Sequence, residues 1–105
     1  MDDSEFISLA DSVLERIEQA IETSGADVDC SMNGDGVLEV ECVDGSKIII
    51  NRHLAAQEVW VAARSGGFHY RWSDEGWRDT RSGEELLASL SELISAQSGE
   101  AVTLR

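Results

Sequence analysis

The chain has no proline, two cysteines, two histidines and few cations: eight Lys and Arg stand against 21 Asp and Glu, a formal net charge of −13 over 105 residues. Each scarcity excludes something. Cys30 and Cys42 show no C-x-x-C spacing and have no further cysteines to join, so they read as small buried hydrophobes in strand-like runs. A chain this anionic repels phosphate backbones and anionic lipid, so neither nucleic acid nor a membrane is an expected partner. The longest apolar runs, "III" and "VWVAA", are far too short to span a bilayer. "MDDSEF" at the N-terminus has neither the basic nor the apolar region of a secretory signal. A reduced, cytoplasmic compartment is the expectation. Catalytic signatures are missing too. There is no G-x-S-x-G, H-E-x-x-H, P-loop or G-x-G-x-x-G, and an enzyme is not expected. His53 and His69 are too few for a His-rich metal site and read as surface strand residues.

The anionic surplus is unevenly placed. Residues 1–44 hold thirteen acids and one Arg, whereas residues 45–105 hold eight acids and seven Lys or Arg. Within the first part, "DSVLERIEQAIE" spaces Asp11, Glu15, Glu18 and Glu22 four, three and four residues apart. At about 100° per residue these carboxylates share an arc of roughly 60°. Like charges at such spacing repel by a few tenths of a kcal/mol per pair, and Glu22 stands where the helix dipole disfavours an anion. Asp27 and Asp29 extend the row onto the next segment, and Asp2, Asp3 and Glu5 precede it. Exposed carboxylates without thiolate or imidazole suit hard cations in open, hydrated, exchangeable sites, or a basic protein surface. An EF-hand is excluded: a loop starting at Asp27 puts Met32 where glycine is required, and one starting at Asp29 puts Val40 at the bidentate position.

The remaining pattern is α+β in a single domain over residues 1–105. A first helix is predicted from Ser4 to Thr23, with an apolar stripe of Phe6, Leu9, Ala10, Val13, Ile17, Ala20 and Ile21 centred nearly opposite the acidic row. Five or six short antiparallel strands follow, separated by "NGDG", "DG", "SGG" and "SDEG". Val28, Cys30 and Met32 alternate inward, as do Leu38, Val40 and Cys42. A second helix lies in "RSGEELLASLSELISAQSG", with Ser82 and Glu85 read as a capping box. Both helices have one apolar stripe, so both are expected on one face of the sheet, leaving the other bare. In "VWV" inward valines send Trp60 outward, toward Asn51 and Arg52 on the preceding strand, and an outward Trp is a candidate interaction hot spot.

Taken in order, "GSKIIINRH", "QEVWVAARSGGFHY", Trp77 and "DTRSGEEL", with "DSEF" and "GEAVTLR" at the two ends, resemble the bacterial frataxin family along the whole chain. That resemblance implies a two-layer sandwich of two helices on a five- to six-stranded antiparallel sheet. It implies a non-enzymatic iron-binding protein that takes part in and regulates iron–sulfur cluster assembly. Iron, as Fe2+ or Fe3+, would be held weakly at Asp3, Asp11, Glu15, Glu18, Glu22, Asp27 and Asp29, and other divalent cations are compatible with such sites. The implied partners are a cysteine desulfurase and an iron–sulfur scaffold protein, with Asn51, Arg52 and Trp60 as the partner-binding surface. His53 stands where the family commonly has glutamine. A monomer is expected, with oligomerisation under excess iron as the variant. The alternatives are a purely electrostatic module that regulates the desulfurase and an iron-storing or ferroxidase assembly.

Overall fold

Asp2 opens the first helix by accepting a hydrogen bond from the Glu5 N–H at 2.8 Å, which satisfies one of the donors a helix start leaves free. The computed structural model describes residues 1–105 and gives α1 (Asp3–Ser24), β1 (Val28–Met32), β2 (Val37–Cys42), β3 (Lys47–His53), β4 (Glu58–Ala63), β5 (Gly66–Ser73), β6 (Gly76–Asp79) and α2 (Leu86–Ser98). The cap is thus Asp2 rather than Ser4, and α1 closes at Gly25, whose φ of 73° is the left-handed conformation glycine adopts without a Cβ clash. The second helix also starts differently from the capping-box expectation. Glu85 itself is the N-cap, its carboxylate accepting from the N–H groups of Leu87 and Ala88, while Ser82 serves the local turn by accepting from Glu84.

The six strands form one antiparallel sheet in sequence order, β1 to β6. Both helices pack on one face. Leu38, Val40, Ile48, Ile50, Val59, Val61, Tyr70 and Trp77 meet Phe6, Leu14 and Ile17 from α1 and Leu86, Leu90 and Ile94 from α2 in one cluster. Val102 and Leu104 of the C-terminal tail complete it, held because the Ser95 and Ser91 hydroxyls bond the tail backbone at 2.8–3.0 Å. Met32 departs from its inward expectation and is 44% exposed, since it ends the edge strand where no further layer covers it.

Leu14 is 1% exposed and belongs to the α1 stripe, while Leu9 and Val13 are only partly buried. This rotates the buried stripe toward the acidic row. At 100° per residue, the row lies roughly 120° from the stripe's centre, on the flank of the helix rather than nearly opposite the core. The flank position explains why Asp11 and Glu18 are only intermediate in exposure.

Alternation along β3 decides another placement. Ile48 and Ile50 point to the helices, so Arg52 does too, whereas Asn51 and His53 point to the bare face. Arg52 lies over Gly36, where an added Cβ would sit 2.8 Å from its Cγ and 2.9 Å from its guanidinium, and Gly36 holds a φ of +79°. Gly36→Ala is therefore expected to cost about 1–2 kcal/mol, combining backbone strain with displacement of Arg52. Urea unfolding checks this, and a change below a few tenths would show that Arg52 moves aside freely.

Candidate metal and partner surface

The acidic row forms a strip with one end occupied. Arg52 ion-pairs with Asp11 and with Asp35, the latter at 2.9 Å. Its guanidinium is held fully charged, chiefly by the hydrogen bond to Asp35 and then by Asp11. Asp11 is thus not a free carboxylate, contrary to the reading of an uncompensated row, and the cation that reaches it comes from β3 rather than from Arg16 on the same helix. Glu15, Glu18 and Glu22 form no ion pair, nor do Asp27 and Asp29. Other acids are taken up elsewhere. Glu39 meets Lys47 at 3.4 Å, and Asp44 meets Arg64 at 2.6 Å. Asp44 is held well below the usual carboxylate range, first by the Ser46 hydroxyl and then by Arg64.

The free part of the strip borders the edge strand β1. Cys30 there is half-buried, and its thiol is pushed up to about 11, first by burial and then by the charges of Glu18 and Glu22. This thiol senses both carboxylates, which puts the C-terminal half of the row against β1. Asp27 adjoins it, and its N–H donates to the Glu100 carboxylate at 2.7 Å. Glu100 is thereby an acid of this corner that the sequence pattern had left in a tail. Asp29 is different: it alternates with Cys30 and pairs in register with Glu41, so it faces the bare side, across the sheet edge from the helical row. Asp3 lies in the first turn of α1, about 28 Å along the axis from Glu22 at 1.5 Å per residue. Its charge is favoured by the helix N-terminus. The seven expected ligands therefore form an extended band with one tied member, one remote and one over the edge. No three carboxylate, imidazole or thiolate groups converge on a common point. One or two carboxylates with water completing the shell is the coordination this surface allows, as suits hard, exchangeable cations.

The expected patch of Asn51, Arg52 and Trp60 divides. Asn51 and Trp60 are register partners on the bare face, while Arg52 lies on the helix side beside Asp11. Two residues missed as contributors take the place next to Trp60. Its indole is stacked between His53 at 3.8 Å and His69 at 4.5 Å, with interplanar angles of 10° and 9°. The indole N–H donates to Glu58 at 2.9 Å, and Arg71 donates to the other oxygen of that carboxylate at 2.7 Å. Glu58 is 6% exposed, an acid that is buried because it is paired and hydrogen-bonded. Period-two alternation places Glu58, Trp60, His69 and Arg71 on one face, and the register His53↔Glu58 and Trp60↔His69 brings them together.

The fold is that of a small two-layer α+β domain with an anionic helix flank, a bare sheet face and no helix long and apolar enough to cross a membrane. A frataxin-like domain model matches residues 1–100. The chain is 56% identical over 105 residues to the iron-sulfur cluster assembly protein CyaY of Dechloromonas aromatica, covering 100% of both. It is 54% identical to that of Ralstonia pickettii, covering 99% of this chain and 95% of the relative. Among solved structures, the frataxin of Psychromonas ingrahamii superposes with a TM-score of 0.90 at 46% identity, over 98% of this chain and 97% of that one. Yeast frataxin, at 21% identity and a TM-score of 0.61 over 92% and 81% of the chains, shares the fold. The chain belongs to the frataxin-like family.

Proposed function

We propose that this protein acts in iron–sulfur cluster assembly, as the names of its relatives state for them, and that it does so without catalysis, as an iron-binding modulator. Fe2+ or Fe3+ is held weakly along Glu15, Glu18, Glu22 and Asp27, with Asp29 and Glu100 at the margins. The same field steers the protein onto a basic surface of the cysteine desulfurase. Asn51 and Trp60 on the bare face contact the scaffold protein, and Arg52 serves the fold rather than the partner. The observation that carries this reading is the run Glu15, Glu18, Glu22 along one helix flank, none of which forms an ion pair, whereas Asp11, Asp35, Glu39 and Asp44 each do. Its mutual repulsion is relieved when positive charge arrives.

The test is the triple variant Glu15→Gln, Glu18→Gln, Glu22→Gln, with anaerobic Fe2+ titration and desulfurase binding measured separately. Both affinities are expected to fall by about tenfold or more, since close charge pairs across an interface couple by ~1.5 kcal/mol upward. In NMR spectra the paramagnetic broadening in the native protein should centre on residues 15–29. Unchanged iron uptake in the variant overturns the iron-binding reading. The absence of a convergent ligand trio favours one rival, a purely electrostatic regulator of the desulfurase, whose signature is lost desulfurase binding with iron uptake intact.

A further inference from the structure

Three dipeptides in the chain pair an Asn or Asp with a following glycine: Asn33–Gly34, Asp35–Gly36 and Asp44–Gly45. In each, the side-chain Cγ can close a five-membered imide ring on the next backbone nitrogen, with no Cβ on the glycine to obstruct it. Ring closure needs a Cγ open to attack and a nitrogen free to approach it. Asp44–Gly45 offers neither. The Asp44 carboxylate accepts from the Ser46 hydroxyl at 2.6 Å, from Arg64 at 2.6 Å and from the Ser46 N–H at 2.9 Å. Those bonds hold it well below the usual carboxylate range, so at neutral pH it is an anion that a nitrogen does not attack. The Gly45 N–H is itself occupied, donating to the Cys42 carbonyl at 2.9 Å.

Asp35–Gly36 is restrained by β3. Arg52 holds the Asp35 carboxylate at 2.9 Å, its side chain lies over Gly36, and its N–H donates to the Gly36 carbonyl at 3.0 Å. Gly36 is also buried. That last hydrogen bond protects Asn51 as well, because the nitrogen following it is the one Arg52 uses. Asn33–Gly34 has none of these restraints. Both residues are exposed. The Asn33 N–H donates to the Val37 carbonyl at 2.8 Å, whereas the Gly34 N–H has no backbone acceptor. An added Cβ at Gly34 would meet nothing within 4 Å, and its φ of +78° suits glycine. The Asn33 side chain is a neutral amide, whose leaving group is ammonia, and asparagine is a thermally labile residue for that reason.

We propose that Asn33 is a modification site, the residue at which this protein deamidates spontaneously in its folded state. The Gly34 nitrogen gives its proton to solvent base and attacks the Asn33 Cγ. The N–Cγ bond forms, the Cγ–Nδ2 bond breaks, and Nδ2 takes up a proton and leaves as ammonia. Water then opens the cyclic imide, at Cγ to give aspartate or at the main-chain carbonyl carbon to give isoaspartate. The reactants are the chain and water alone. Either product puts a carboxylate where the amide stood, adding an anion to the loop that Asp35 anchors to Arg52. Isoaspartate also lengthens the main chain by a methylene at the mouth of the β1–β2 hairpin, where Asn33 bonds Val37. Nothing in this chemistry depends on iron or on a partner, so it holds or fails apart from the function proposed above.

The experiment keeps the full chain in warm, mildly alkaline buffer and follows intact mass, peptide maps and methyl transfer by an isoaspartate-specific carboxyl methyltransferase. The mass should rise by one unit, the change should map to residues 33–34, and the mapped product should accept methyl groups. Asn33→Ser should abolish the gain. Asp44→Asn puts the same dipeptide on the restrained turn, where reaction should run about fivefold to tenfold slower than at Asn33 of the same molecule, because the Gly45 N–H must first leave Cys42. In concentrated urea, where neither turn persists, the two rates should converge. The proposal is overturned if Asn33 reacts no faster than Asn51, or if positions 33 and 44 of the folded variant react equally. It is overturned equally if urea speeds Asn33 by about tenfold or more, since the fold would then be restraining the site.

Discussion

Phe6→Ala should lower the unfolding free energy by about 3–5 kcal/mol, the cost of emptying a fully buried aromatic site. Phe6 has no exposed surface and meets Trp77 edge-on, with ring centroids 6.0 Å apart at 76°, while Trp77 meets Trp72 at 5.6 Å and 72°. Edge-to-face contacts of this kind contribute beyond their buried area. They fasten the first turns of α1 to β5 and β6, whereas Leu14, Ile17 and Ile21 fasten the rest. A domain of this size has roughly 5–15 kcal/mol in hand, so the variant should remain folded at low temperature with a much lower urea midpoint. Hydrogen exchange should accelerate most in the first two turns and least around residues 17–22. A loss below about 1 kcal/mol would contradict the packing described. The consequence for function is specific: the N-terminal turns loosen, yet the free carboxylates Glu15, Glu18 and Glu22 keep their place against β1.

Order and type of the elements were legible because each obeys a local rule. Alternation in "VLEVEC" and in "VWVAA" assigns faces without tertiary knowledge, and the "DG" at 44–45 turns β2 into β3. Errors arose where one side chain can serve two neighbours. Leu14 lies between the stripe and the acidic row, and only docking against the sheet reveals which it joins. Ser82 and Glu85 fit a capping box by spacing, but Glu85 reaches Leu87 and Ala88 itself. Arg52 was grouped with Trp60 because it lies on the preceding strand and because the family resemblance implies it, although the same alternation that turns Trp60 outward sends Arg52 to the helices. Its pairing with Asp11, 41 residues away, has no local signal. The His53–Trp60–His69 stack depends on strand register, since one slipped residue would part the rings. The turn at "SDEG" was legible, but its backbone geometry was not. Asp74 and Glu75 adopt positive φ, 53° and 62°, in a two-residue hairpin that ordinarily favours glycine or asparagine.

The surfaces differ in charge as well as in shape. The helical strip repels itself and has an internal cation only at Asp11, where Arg52 pairs with it, while on the β3–β6 side Arg71 and Arg78 stand beside Glu58, Asp74 and Asp79. Under the proposed function, the free part of the strip meets iron and a basic partner surface, and the sheet holds it at a fixed angle to the Trp60 face. Salt should weaken both contacts, because exposed charges are screened beyond about 10 Å at 0.1 M.

Raising the pH from 9 to 12 should remove a large share of the stability, and composition makes the cause traceable. The chain has one tyrosine, two cysteines and a single lysine, so few groups titrate in this range. Tyr70 is pushed up to about 12, first by burial, with its hydroxyl bonded to Ser89 beneath α2. Cys30 is pushed up to about 11 by burial and then by Glu18 and Glu22. Both groups hold their protons more tightly when folded than when unfolded. Their contribution is therefore complete below the unfolded values, 9.0 for the thiol and 10.0 for the phenol, and is lost as pH rises through the folded ones. For Tyr70 the loss is about 2–3 kcal/mol between pH 10 and 12. For Cys30, half open to solvent, screening reduces it to about 1 kcal/mol between pH 9 and 11. Urea midpoints across this range should fall, and Tyr70→Phe should flatten the upper part at a neutral-pH cost of ~1 kcal/mol for the orphaned Ser89 hydroxyl. The lower part belongs to the strip. Glu18→Gln with Glu22→Gln should draw the Cys30 thiol down, shrink the loss between pH 9 and 11 and speed its alkylation at pH 8.5. A divalent cation held by the same carboxylates should speed alkylation of the native protein in the same way. If neither substitution nor cation changes the rate, the carboxylates do not act on Cys30 as the structure places them.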